Sequence, residues 1–145
     1  MRITTGWMAG CVLAAGLSGV GPVLAQPAVV GNWAKVSHVS DYGGTKIDSQ
    51  AALLQSRPCA AKVVWRVNAD STFRLDASQS GCDEKYVDIQ QKLYAKTRWK
   101  LEGDLFTVSA TNFAVGQSYR VALSGDRMTW TGTEGQGVIV YRRLP

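Results

Sequence analysis

From residue 29 onward the chain alternates apolar and polar positions in short runs, the period of half-buried strands, and no stretch carries a long, clean helical stripe. Residues 29–39 read as a first strand carrying Trp33. Residues 62–68 and 72–76 form the clearest hairpin: Val63, Trp65 and Val67 share one face, Asn68-Ala69-Asp70-Ser71 supplies the turn, and Phe73 and Leu75 resume the alternation. Residues 97–101 and 105–109 flank Glu102-Gly103-Asp104, and residues 118–123 and 127–131 flank Ser124-Gly125-Asp126, both tight-turn compositions. A last strand, 137–142, follows the glycine-rich turn at 132–137. Between the first strand and the hairpin lies a long connection, 40–58, of the length used for lids and binding loops. Within it residues 49–54 fit one helical turn or two, with Ala51, Leu53 and Leu54 placed to pack over an open barrel end. Residues 86–93 suit a strand or a short helix equally.

Eight or nine short strands in sequential hairpins predict an all-β fold, a small antiparallel up-and-down barrel of about eight strands, because closure removes the exposed edges of an open sheet. A small sandwich and a five-stranded oligonucleotide-binding barrel are the nearest alternatives, and the latter leaves several segments unused.

The first 25 residues change the setting of this barrel. Arg2 forms a minimal positive start, an apolar run follows from Met8 to Val23, and Val23-Leu24-Ala25 presents the small residues that a signal peptidase accepts. Residues 1–25 are therefore expected to be an export signal and residues 26–145 the mature domain. Gly10, Gly16, Gly19, Gly21 and Pro22 make the run a poor spanning segment, so no stable membrane span is expected after cleavage. Met8-Ala9-Gly10-Cys11 resembles a lipobox, but the apolar stretch before Cys11 is short for that role. The mature length suits one domain with one core.

Removal of the leader leaves Cys59 and Cys82 in a chain bound for an oxidising compartment, the periplasm or the exterior, where they are expected to form one disulfide. Such a loop contributes roughly 3–4 kcal/mol on a chain-entropy estimate. Two cysteines and the single histidine, His38, make a poor metal set, and neither a metal nor a cofactor is expected. The 16 Lys and Arg against 11 Asp and Glu leave a net charge of +5 spread along the chain rather than gathered in a stripe. Nucleic acid is therefore not an expected partner.

Several segments resemble those of bacterial lipocalin-like domains in the calycin group. They are Gly31-Asn32-Trp33, Val63-Val64-Trp65 running into Asn68-Ala69-Asp70-Ser71-Thr72-Phe73, Trp99-Lys100-Leu101-Glu102-Gly103-Asp104-Leu105, Tyr119 to Leu123 before Ser124-Gly125-Asp126, and Ile139-Val140-Tyr141-Arg142-Arg143. The resemblance implies a cup-shaped interior for an apolar molecule. It also implies that Trp33, after Gly31, packs in the closed end beneath an arginine from the last strand, Arg142 or Arg143. Two departures stand out: the chain is shorter than many lipocalins, and its cysteines lie nearer the middle.

Trp65, Phe73, Trp99, Tyr119 and Trp130 lie on alternating segments and are the candidates for a ligand-binding wall. Arg66, Arg74, Arg98, Lys100 and Arg120 alternate with them and are expected to face outward; an inward cation would favour an acidic head group on the ligand. Enzyme chemistry is not expected. His38 reads as a solvent-facing strand residue, Glu84 and Asp88 lack an evident cleft, and Gly132, Gly135 and Gly137 lack the lysine and helix of a phosphate loop. The expected function is an exported binding protein for a small hydrophobic or amphipathic molecule. The alternative is an interaction module for an envelope or secreted protein, such as a protease inhibitor, using residues 26–30 and the 40–58 connection.

Overall fold

The computed structural model describes residues 27–145, so the leader expected over 1–25 and the Cys11 alternative lie outside the described residues. In chain order the elements are β1 (Gly31–Tyr42), β2 (Thr45–Asp48), α1 (Ser49–Ser56), a 3-10 turn (Pro58–Lys62), β3 (Val64–Val67), β4 (Phe73–Asp76), α2 (Glu84–Leu93), β5 (Arg98–Glu102), β6 (Leu105–Ser109), a second 3-10 turn (Phe113–Val115), β7 (Gln117–Ser124), β8 (Arg127–Gly132) and β9 (Val138–Arg143). The strands order as β4-β3-β1-β9-β8-β7-β6-β5, all antiparallel, with β2 paired to the far half of β1. Leaving β2 aside, every strand but β5 pairs with its predecessor and β9 returns to β1, which gives the nearly closed up-and-down barrel that the alternation predicts.

Closure between β4 and β5 is partial. A single bridge, Thr72 to Arg98, joins them, with Phe73 N–H donating to Thr97 O and Trp99 N–H to Ser71 O, each at 3.0 Å. Beyond that point Arg74 caps the seam, its Nη1 donating to the carbonyls of Phe73 (2.9 Å), Tyr94 (3.3 Å) and Thr97 (2.6 Å). The Thr97 and Tyr94 carbonyls also accept from Phe73 N–H and Thr97 N–H, so the guanidinium adds a second bond to each where the β4–β5 pairing ends. Arg66 sits on the outer face as expected, donating to Asp76 and Asn32, and Arg120 pairs outside with Asp104.

One end of the barrel is solid. Trp33 is fully buried, with its Nε1 donating to Val29 O at 3.0 Å, and the Arg143 guanidinium lies 4.2 Å above its ring. Arg143 also donates to the carbonyls of Val30 and Ala28, which fixes the segment entering β1. A Cβ on Gly31 would stand 2.6 Å from the Arg143 guanidinium, so glycine is what lets the arginine reach the indole. Arg142 is exposed, and of the two candidates Arg143 covers Trp33. Because Val29 is buried and carbonyls 28 and 30 are bonded, the described part of the 26–30 segment is packed against the barrel rather than presented as a free docking tail.

The long connection carries more structure than its composition suggests. β1 runs on into a ribbon with β2, turning at Gly43 and Gly44, and α1 follows with Asp48 as its N-cap, accepting from Gln50 N and Ala51 N. Residues 86–93 belong to α2, capped by Asp83, whose side chain accepts from Tyr86 N. The disulfide Cys59–Cys82 (Cα–Cα 5.3 Å) ties the first 3-10 turn to the loop before α2. Arg57 reinforces that tie, donating to Asp83 at 2.6 Å and lying 4.0 Å over the Tyr86 ring. No helix among the described residues is long and apolar enough to cross a membrane.

Candidate functional site

Above the solid end the barrel is hollow. A cavity of about 220 Å³ is walled by rings of Trp65, Phe73, Tyr119, Trp130 and Tyr141, with Tyr94 reaching in from the end of α2. These rings touch one another: Trp130 lies 4.9 Å from Tyr141, 5.2 Å from Tyr119 and 5.7 Å from Phe73, and Trp65 meets Tyr94 edge-on at 5.0 Å. Aromatic groups offer large, rigid contact area at small cost in rotamer freedom. Four of the five residues expected on a ligand wall therefore line this cavity. Trp99 does not: it stacks on Phe106 at 5.5 Å, and its Nε1 donates to Asn68 O at 2.9 Å. Its role is to pack the wall near the seam.

Polar groups enter this aromatic space at a few points. The Lys35 ammonium lies 4.1 Å from the Trp65 ring centroid and 5.9 Å from that of Tyr141. Desolvation by burial lowers the Lys35 pKa from 10.5 to about 8. Trp130 Nε1 is buried without an acceptor. Tyr119 donates to Gln117 Oε1 at 3.1 Å, and burial raises the hydroxyls of Tyr94, Tyr119 and Tyr141 above their ordinary pKa, that of Tyr141 furthest. Each tyrosine therefore remains a neutral donor at physiological pH.

His38 also lines the cavity, contrary to the expectation of a solvent-facing strand residue. The β1–β9 register shifts between Lys35 and Ser37, so a bulge at Val36 reverses the alternation beyond it. Trp33 and Lys35 point inward before the bulge; His38, opposite inward-facing Ile139, points inward after it. His38 Nε2 donates to Gln136 O at 2.8 Å, which places the proton on that nitrogen. The approach is close because Gly137 (φ +88°) lies against the Val39 carbonyl, where a Cβ would collide.

A second chamber of about 130 Å³ lies beneath α1 and the first 3-10 turn, lined by Gln50, Leu53, Ala60 and Val63 among others. Lys35, Trp65 and Tyr94 belong to both chambers and form the partition between them. Of the helix residues expected to cover the barrel end, Leu53 reaches this chamber and Ala51 is exposed. A more open hollow of about 270 Å³ runs outside, along Val108 to Thr111 and Val115 to Gln117, and contains no ionisable side chain other than Tyr94. The aromatic cavity is the better site despite its smaller volume, because aromatic rings and a cation line it together.

Beside Val108, Gln117 and Ile139, the cavity residues that pattern reading missed are Lys35, His38, Tyr94 and Tyr141. For Lys35 a signal existed, since it stands two residues after Trp33 and shares its face until the bulge. Tyr141 is likewise two residues from Ile139 and from Arg143 on one face of β9. Among the described residues no three His, Cys, Asp or Glu side chains gather as a metal site requires. Comparisons with family models, with curated proteins and with solved structures found no match to this chain.

Proposed function

We propose that the protein is an exported binding protein that holds one small apolar or amphipathic molecule inside its barrel, in the periplasm or outside the cell. The observation that carries this reading is the aromatic-walled cavity of about 220 Å³ above the Trp33 end. Ligand sites are typically concave and apolar with a few convergent polar groups, and run upward from about 300 Å³. The occupant is accordingly compact, the size of a one- or two-ring molecule rather than a long lipid. The intramolecular disulfide fits an oxidising compartment, in keeping with the leader read from residues 1–25. Fluorescence titration with the neutral probe 2-naphthamide tests the reading, alongside native mass spectrometry of protein purified without denaturation. Saturable one-to-one binding is expected; absence of both saturable binding and a retained molecule overturns it.

One observation favours a second reading, recognition of another protein. The β1–β2 ribbon leaves Tyr42 and Ile47 exposed, at 65% and 47%. If the ribbon docks on a partner, Tyr42→Ser with Ile47→Ser abolishes recovery of that partner from a periplasmic extract. Unchanged recovery overturns this surface.

A further inference from the structure

We propose that Lys35 forms an anion seat, so that the molecule held in the cavity is a compact apolar body carrying one carboxylate-type acidic group. The proposal rests on the binding reading above and names the chemistry of its ligand.

Six ion pairs join charged side chains of the described residues, and Lys35 is in none of them. The linings of the two chambers that Lys35 borders contain no Asp or Glu. Its ammonium is held over the Trp65 face, which attracts a cation but accepts little from its N–H groups. A second ring, that of Tyr141, lies 5.9 Å from Lys35 Nζ. The interior thus offers a positive charge with no negative charge to meet it. A desolvated cation without a counter-ion is costly, and a ligand carboxylate supplies both the charge and the acceptor oxygens that the ammonium lacks. At about 8 the Lys35 pKa leaves the ammonium largely protonated at neutral pH, so the charge is in place before the ligand arrives. The aromatic rings then supply contact for the apolar remainder, and the chamber beyond the Lys35–Trp65–Tyr94 partition provides room if the lysine chain swings.

Isothermal titration with 2-naphthoate and its neutral counterpart 2-naphthamide reads the seat directly. The wild-type chain is expected to bind the acid at least about tenfold more tightly than the amide. Lys35→Met brings the two probes to within about twofold of each other, whereas Lys35→Arg keeps the preference for the acid. Equal binding of the two probes by the wild type overturns the anion seat while leaving the binding role standing. Failure of both probes to bind overturns both.

Discussion

The barrel contains two cations over two indoles, with opposite surroundings. Arg143 lies 4.2 Å over Trp33 and Lys35 lies 4.1 Å over Trp65, and the two indoles are register partners on adjacent strands. At the solid end the pairing is saturated: the guanidinium is bonded to the carbonyls of Ala28 and Val30, and the indole N–H to Val29. In the hollow half the ammonium has no carboxylate among the described residues. The same interaction type therefore supports structure in one place and a candidate site in the other. What separates them is whether the remaining polar atoms find partners within the chain.

The largest expected effect lies at the saturated end. Trp33→Ala leaves a void at the deepest point of the core and is expected to lower stability by about 3–5 kcal/mol in urea denaturation. A loss below about 1 kcal/mol would mean that this end is not the anchor described. Next comes the cross-link beside the mouth. Replacing Cys59 and Cys82 together by serine is expected to lower stability by roughly 3–4 kcal/mol, since it opens a loop of sequence separation 23. Two reactive thiols in denatured, unreduced protein would contradict the bridge.

The two cations then provide the sharpest contrast, because matched substitutions should differ in sign. Arg143→Met strands two carbonyls and is expected to cost about 1–3 kcal/mol. Lys35→Met removes a desolvated charge that lacks a counter-ion, so stability of the unliganded protein should stay level or rise by about 1 kcal/mol. Equal losses from the two, measured by urea midpoint, would erase the distinction between the ends.

The smallest effect is a pH dependence. Lys35 titrates near 8 in the folded protein against 10.5 when free, so between those values the unfolded chain binds more protons. Stability from this group therefore rises with pH across that window, by on the order of 1 kcal/mol. The titratable groups sharing a chamber with Lys35 are His38 on its own strand, Tyr141 on β9, Tyr119 on β7, Tyr94 at the end of α2 and Tyr86 within α2. Tyr94, Tyr119 and Tyr141 work in the opposite direction, losing stability above pH 10, because burial raises their folded pKa values above 10.0. The comparison belongs between pH 8 and 10, with Lys35→Met as the control in which the rise disappears. An identical slope in both proteins would show that Lys35 is well solvated.

Period-two alternation was enough to place the strands from β3 to β9, because a strand with one buried face must repeat apolar residues every second position. The same rule put Trp65, Phe73, Tyr119 and Trp130 on inward faces, and the count of two cysteines after the expected export signal anticipated the bridge. It could also have distinguished Arg143 from Arg142, since Ile139, Tyr141 and Arg143 share one face of β9. Other features depended on contacts between distant segments. The bulge at Val36 arises from the register between β1 and β9, and it alone turns His38 inward. Tyr94 reaches the cavity because α2 covers a seam left open where β4 and β5 diverge, and Arg74 turns to that seam to cap its carbonyls. Alternation records which face a residue takes within a strand. Tertiary packing decided where the period breaks, what fills the gap in the barrel, and which desolvated cation was left without a counter-ion.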